Sequence, residues 1–328
     1  MTPAEGSIYG MTVLEDAIAG DEAAFARLVA PLRRELLAHA YRVTASSADA
    51  EDAVQDALLS AWRGLAGVRD AIAFRAWLYR IVTNAALRVA ARTGPRMLSW
   101  DAAEASDPHR ELAGPGNGPW VEPFQDNHPE SAAIRREHIE LAWIAALQRL
   151  PATQRAAIAL KDVLAYTTAE IAAMLDISPA AVNSALQRAR ATLKSGSRAT
   201  YSPTEADRTA AEAFAVAFTA ADIEGLRDLL SDDVRFTMPP LPAWFAGSQD
   251  TLAFLISSVL ATPWRVTPIG DVNGHPALIG FQRTAEGERR GAVMILHIED
   301  GRIVWLATFV EPTIVLGWQI PEQFPLNR

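Results

Sequence analysis

Residues 150–194 read "LPATQRAAIALKDVLAYTTAEIAAMLDISPAAVNSALQRARATLK", and how this stretch divides into helices decides what kind of protein it belongs to. Pro151 suits the start of a helix, which runs to a break near Tyr166. Thr167, followed three residues later by Glu170, is a capping box, because each side chain can satisfy a backbone N–H at the start of the next helix. That helix is short and ends near Asp176. Ser178 and Pro179 then supply a new N-cap and first helical residue. Helix, tight turn and helix make a helix-turn-helix. In its second helix Val182, Leu186, Ala189 and Leu193 form one inward stripe, and the outward arc is Ala180, Asn183, Ser184, Gln187 and Arg188, flanked by Arg190 and Lys194. Short and amide side chains near the N-terminus with basic ones further along suit a helix that enters the DNA major groove, where N-terminal residues approach base edges. A helical hairpin inside a bundle shares the pattern of caps, so the charge has to separate the two readings.

The charge favours DNA. Residues 177–198 carry four basic residues and no acid, in a chain of 328 residues with formal net charge -9. The acidity lies elsewhere. Residues 97–134 hold one arginine against seven acids, together with "GPGNGP" and further prolines, and read as a solvated linker. From residue 203 onward nine arginines face sixteen acids, whereas residues 69–96 hold six arginines and one acid. Beyond a Debye length of about 8 Å the acidic parts do not cancel a basic helix.

The rest of the composition excludes several classes. No run of 18 apolar residues and no basic-then-apolar leader is present, so a cytoplasmic protein is expected. With no cysteine there is no disulfide or thiol chemistry, and the six histidines include no pair at helical i, i+4 spacing, so neither a metal site nor a cofactor is expected.

The N-terminal block, 12–97, reads as all helical. In "DAEDAVQDALLSAWRGL" Val54, Leu58, Ala61 and Leu65 form one apolar stripe, and Glu51, Asp52, Gln55 and Asp56 face away from it. Taken alone, that acidic face reads as solvated surface. In "FRAWLYRIVTNAALRVAAR" Phe74, Trp77, Leu78, Ile81, Val82 and Ala85 turn inward, while Arg80, Asn84, Arg88 and Arg92 recur every four residues on another side. Arginine neutralises phosphate and an amide can both donate to and accept from a base edge, so this stripe suits nucleic acid, although arginine is also an ordinary surface residue.

These three segments, in this order with an acidic linker between, closely resemble regions 2 and 4 of the extracytoplasmic-function sigma factors of the sigma-70 family. The resemblance implies a promoter-specificity subunit of RNA polymerase. It implies that the acidic helix, through Asp52, Gln55 and Asp56, docks on the β′ clamp, and that region 4 meets the β flap. It also implies that Arg80, Asn84, Arg88 and Arg92, with the loop 64–73, capture the melted minus-ten element with a base held out of the stack. Helix 179–194, with Asn183, Ser184, Gln187, Arg188, Arg190 and Lys194, would read the minus-thirty-five element.

A minimal member of that family would end near residue 200. Beyond it, helices are expected at 204–220 and 222–231, then a strand in "DVRFTMP", a helix in "SQDTLAFLISSVLA", and β-rich segments "WRVTPIGDV", "PALIGFQRT", "RRGAVMILHIED" and "GRIVWLATFV". Asp300-Gly301 between two alternating runs marks a hairpin turn. Helices followed by a curved antiparallel sheet make an α+β cone, which resembles the SnoaL-like, nuclear-transport-factor-2-like fold. The expected chain is therefore multidomain: two all-α sigma domains at 12–97 (region 2 bundle) and 135–198 (region 4 helix-turn-helix), a linker at 98–134, and a SnoaL-like regulatory domain with a tail at 204–328.

That cone hosts enzymes, ligand binders and interaction modules alike. A general base would come from Asp232, Asp233, Asp271 or His297, but no paired catalytic constellation is visible and no enzyme is expected. Phe236, Trp244, Trp264, Phe281, His297 and Trp305 either line a ligand pocket or fill the core. Two functions remain beside a sigma factor regulated in cis by this domain: a one-component helix-turn-helix regulator with a ligand-binding domain, and an enzyme fused to a DNA tether. Contact of the domain with the helical blocks is expected, with Trp318 and Phe324 of the Pro-rich tail as a candidate arm.

Overall fold

The computed structural model describes residues 12–68, 70–116, 118–124, 140–193, 201–310 and 312–317. They form two compact units. The first takes the described residues up to Arg96 together with those from Trp143 to Leu193; the second takes Met97–Ala142 and the residues from Tyr201 onward.

The first unit is all helical. Helix α1 covers 12–18 and is followed by α2 (Glu22–Val29), α3 (Arg33–Thr44), α4 (Ser47–Gly64) and α5 (Ala71–Thr93). Asp21 caps α2 through the N–H groups of Ala23 and Ala24, and Ser46 caps α4 through that of Asp49. The apolar stripes of α3, α4 and α5 meet in a core containing Leu36, Tyr41, Val54, Ala61, Leu78 and Val82. The second group is α7 (Leu141–Gln148), α8 (Ala152–Ile158), α9 (Thr168–Leu175) and α10 (Pro179–Leu193); a π turn, Ala159–Val163, extends α8. The caps expected from sequence are present: Thr167 and Glu170 form the box, Asp176 ends α9 at φ 54°, and Ser178 Oγ accepts from the N–H of Ala181.

Within this unit α8 and α9 pack on α3 and α5. Buried Arg155 on α8 donates to the Val43 carbonyl at 2.6 Å and to the Gln148 side chain. Burial pulls its pKa down to about 10. Tyr166 meets Tyr79 edge-on at 5.9 Å, and Tyr79 donates to Glu35, which also pairs with Arg75 at 2.6 Å. The two helical groups thus share a polar and aromatic seam of their own.

In the second unit, α6 (Ser99–Ala102) is followed by α11 (Glu205–Ala220) and α12 (Ile223–Leu229). A six-stranded sheet then runs in the order β2-β1-β6-β5-β4-β3: β1 (Leu230–Thr237), β2 (Trp244–Ala246), β3 (Trp264–Val272), β4 (His275–Thr284), β5 (Gly287–Glu299) and β6 (Arg302–Phe309). Helix α13 (Ser248–Phe254), continued by a π turn, lies between β2 and β3, and α14 (Pro312–Gly317) follows β6. Every neighbouring pair is antiparallel except β1 with β6, which is parallel. Asp300-Gly301 turns β5 into β6 with both φ values positive, as the sequence suggested, and Asn273-Gly274 does the same between β3 and β4.

Both faces of the sheet are covered. On one, Phe214 and Phe218 of α11, Leu226 of α12 and Phe254 of α13 join Phe236, Phe245, Leu278, Met294 and Leu306 in one core. On the other lies the segment expected to be a solvated linker. Trp120, Val121 and Phe124 are buried, Ser99 Oγ donates to the Leu241 carbonyl, and the Ser106 N–H donates to that of Trp244. Trp100 meets Trp305 at 4.9 Å with Arg235 over its ring, and the Phe124 N–H is held by Asn273 at 2.7 Å. Residues 97–124 are thus acidic on the outside but anchored by aromatic and backbone contacts, which net charge does not register.

Candidate polymerase and promoter interfaces

Helix α4 separates its acids by use. Asp49 is drawn inward by Arg96, 2.8 Å away, whereas Asp52, Gln55 and Asp56 are exposed. Beside them runs an apolar groove of α2, α3 and α4 lined by Phe25, Leu58, Leu59 and Trp62, with Phe25 and Trp62 in ring contact at 5.2 Å and Leu59 52% exposed. Leu58, placed on the inward stripe by periodicity, is only half-buried for this reason. An acidic rim along exposed apolar surface suits protein docking better than bare solvation.

On α5 a groove of about 340 Å³ is lined by Ser60, Trp77, Arg80, Ile81, Asn84 and Arg88. Trp77 and Ile81 are half-exposed here, so the inward stripe and the arginine stripe meet in one concavity. Arg80, Arg88 and Arg92 are exposed, and no carboxylate among the described residues pairs with them. Unpaired guanidinium groups flanking an indole face and an amide can hold phosphate, stack a base and read its edge. The preceding loop is one tight turn, Leu65–Gly67; Arg69 lies outside the described residues.

On α10 Val182, Leu186, Ala189 and Leu193 are buried, and Asn183, Ser184, Gln187 and Arg188 are exposed, as their spacing requires. Arg190 differs. It pairs with Asp162 at 2.6 Å and so ties α10 to the turn after α8, which makes it a brace of the motif. Asp162 is 28 residues away, and nothing local to α10 announces it. Lys194 lies outside the described residues, as do Trp318 and Phe324.

The six aromatic and histidine residues grouped as a ligand pocket do not converge. Phe236 pairs across strands with Leu306 on the helix-covered face, while Trp305 pairs with Arg235 and His297 on the other. Phe236 is packed with Phe245 and Phe254, whose rings stack at 4.4 Å. Trp264 lies over Gly280 and Gly291, where a Cβ would come within 3.2 Å and 2.6 Å of its ring, and it donates to the Val259 carbonyl. Phe281 is buried under Arg265, itself paired with Glu288. Trp244 and Trp305 donate to Ala103 and to Thr237. Their side chains are consumed by packing on two faces, so the filled-core reading is the one the structure supports. Asp271, a candidate base, pairs with Arg208 at 2.9 Å. Among the described residues no cluster of acids and histidines is arranged to hold a metal, and no helix is long and apolar enough to cross a membrane.

The model of sigma-70 region 2 matches residues 28–95, and that of sigma-70 region 4 matches residues 140–193. Over 310 residues the chain is 34% identical to the ECF RNA polymerase sigma factor SigG of Mycobacterium tuberculosis, covering 89% of this chain and 82% of that one. The chain belongs to the extracytoplasmic-function sigma factors. As such it is an alternative sigma factor, which directs RNA polymerase core to promoters. It is also 30% identical to SigJ of the same organism over 89% of its length and 93% of SigJ. The crystal structure of SigJ, 24% identical, superposes with a TM-score of 0.61 over 89% of this chain and 98% of that one, so the fold is shared from the sigma helices into the SnoaL-like cone.

Proposed function

We propose that this sigma factor divides its work among three surfaces. Asp52, Gln55 and Asp56, with the apolar groove beside them, dock on the polymerase β′ clamp; Arg80, Asn84, Arg88 and Arg92 hold the melted minus-ten strand; and Asn183, Ser184, Gln187 and Arg188 read the minus-thirty-five element, with region 4 also meeting the β flap. The observation that carries this reading is that the described residues of all three sets are free of ion pairs and, apart from half-buried Asn84, exposed, while neighbouring Asp49 and Arg190 are engaged by Arg96 and Asp162. Opening of the duplex is then driven by binding of the single strand, with no covalent chemistry.

The C-terminal domain acts in cis and without catalysis. Its aromatic residues are filled in, Asp271 and His297 are engaged in structure, and Asp232 and Asp233 lie exposed on β1, which supports a regulatory rather than an enzymatic role. Regions 2 and 4 are held together by their own seam at Arg155 and Tyr166, so the domain is not needed as a bridge between them. Nor does this packing bury the promoter-facing side chains.

The test is promoter binding and run-off transcription by the full chain carrying Asp52→Ala and Asp56→Ala. Loss of holoenzyme assembly with an intact fold supports the docking assignment; unchanged co-purification with core polymerase removes it. Truncation after Arg198 would strand Trp120, Val121 and Phe124 without their sheet, so point variants are the cleaner tool.

A further inference from the structure

The chain leaves the second unit after residue 142 and returns to it at about residue 199, with the region 4 helices between. The described residues that flank this excursion, Glu140 and Tyr201, come together on the β3–β4 turn. The Glu140 carboxylate accepts the backbone N–H of Tyr201, and its Cγ lies 3.6 Å from where a Cβ of Gly274 would stand. The Tyr201 ring stacks on His275 at 4.5 Å and 17°, and touches His297 at 4.7 Å. Asn273, the adjoining turn residue, holds the Phe124 N–H, so linker residue Phe124 reaches the same place.

The histidines fix their own tautomers. His275 Nδ1 and His297 Nδ1 are 3.3 Å apart, and His297 Nε2 lies 2.9 Å from Glu299. His297 donates from Nε2 to the carboxylate and accepts at Nδ1 from His275, leaving a bare, buried and unpartnered Nε2 on His275. The charged neighbours are Asp207 and Arg208 of α11, Asp271 of β3, and Glu299 of β5.

We infer that Glu140, Tyr201 and the His275–His297 pair form a latch that fastens both ends of the region 4 excursion to one turn of the C-terminal sheet. A latch at this point sets how far the region 4 helices can travel while the domain stays folded, which links the domain to promoter reading by chain connection alone. The inference rests on the assignment of α7–α10 as the promoter reader.

Protonation balances within the latch. Burial raises the Glu140 carboxyl to about 7, so the closed form holds a proton there that the open form releases above its ordinary value of 4.5. Closure is favoured at low pH and this contribution is lost as pH rises through 7. Burial, and then repulsion between the two rings when both are protonated, lower His275 to about 3, so its contribution is present above the ordinary 6.5 and is lost as pH falls. The two oppose one another, and opening of the wild-type latch rises only about twofold from pH 6 to pH 8. Removing the carboxylate leaves histidine alone and reverses the sign.

The experiment is hydrogen exchange of the full-length protein, corrected for intrinsic rates, on peptides covering 140–143, 201–205 and 273–297. Tyr201→Ala, checked by thermal melting for an intact fold, is expected to raise opening of the other two peptides by at least about tenfold. Glu140→Gln keeps the shape and is expected to open about fourfold more at pH 6 than at pH 8, the reverse of wild type. Unchanged exchange at 140–143 and 273–297 in Tyr201→Ala, or a wild-type pH trend in Glu140→Gln, overturns the latch. Promoter binding by a Gln187→Ala variant tests the reader separately, so either idea can fail without the other.

Discussion

Helix α10 and the C-terminal sheet were both marked in the sequence by residues that looked functional, and they part company in the structure. On α10 the buried stripe Val182, Leu186, Ala189 and Leu193 accounts for all the packing, and Asn183, Ser184, Gln187 and Arg188 are left over on the outside. On the sheet, Phe236, Trp264, Phe281 and Trp305 have no such remainder, because helices cover one face and residues 97–124 the other. The lesson is that polar residues at helical spacing identify a surface, whereas aromatics on strands identify one only if a face of the sheet is bare.

The two regions differ most at Phe245, stacked on Phe254 in the helix-covered core. Phe245→Ala should cost about 3–5 kcal/mol of stability in the second unit, measured by denaturant unfolding, with no direct change in base preference. Survival of the variant at wild-type stability would mean a cavity exists there after all. Gln187→Ala should do the opposite, leaving stability within about 0.5 kcal/mol while changing discrimination at one upstream base pair by about 1–3 kcal/mol. A uniform loss across promoter sequences would make α10 a backbone clamp instead of a reader.

A third contrast concerns acid. His39 is buried between α3 and α5, where Nε2 donates to Thr83 at 2.8 Å and Nδ1 is unpartnered. Burial, then the nearby Arg42 charge, lower its pKa from 6.5 to about 3. Its neutral form supports the fold above pH 6.5, and that support is lost as pH falls. Between pH 7 and pH 5 the first unit should lose about 2 kcal/mol through this residue, read as faster amide exchange in α3 and α5 and absent in His39→Gln. The smallest effect is expected at the capping box: Thr167→Ala should cost about 1 kcal/mol, as a lower midpoint of unfolding of the first unit.

The helix-turn-helix was legible because its signals are local: Thr167 with Glu170, and Ser178 with Pro179, each act over three residues or fewer. The Asp300-Gly301 hairpin was legible for the same reason. Pairings over long separations were not. The parallel β1–β6 contact joins Phe236 to Leu306, β2 is only three residues long, and Arg190 meets an acid on another helix. The docking of the linker was hidden by its charge, although Trp100, Trp120 and Phe124 are unusual in a solvated segment. His275 carries no local signal on its strand, and Glu140 and Tyr201 acquire meaning only when the chain brings them together.

Whether this chain programs RNA polymerase through region 2 and region 4 is read by run-off transcription with purified core polymerase. Promoter-specific transcripts are expected that require both components and disappear when Arg80, Asn84 and Arg88 are replaced by alanine. Specific DNA binding without any polymerase-dependent transcript would contradict it.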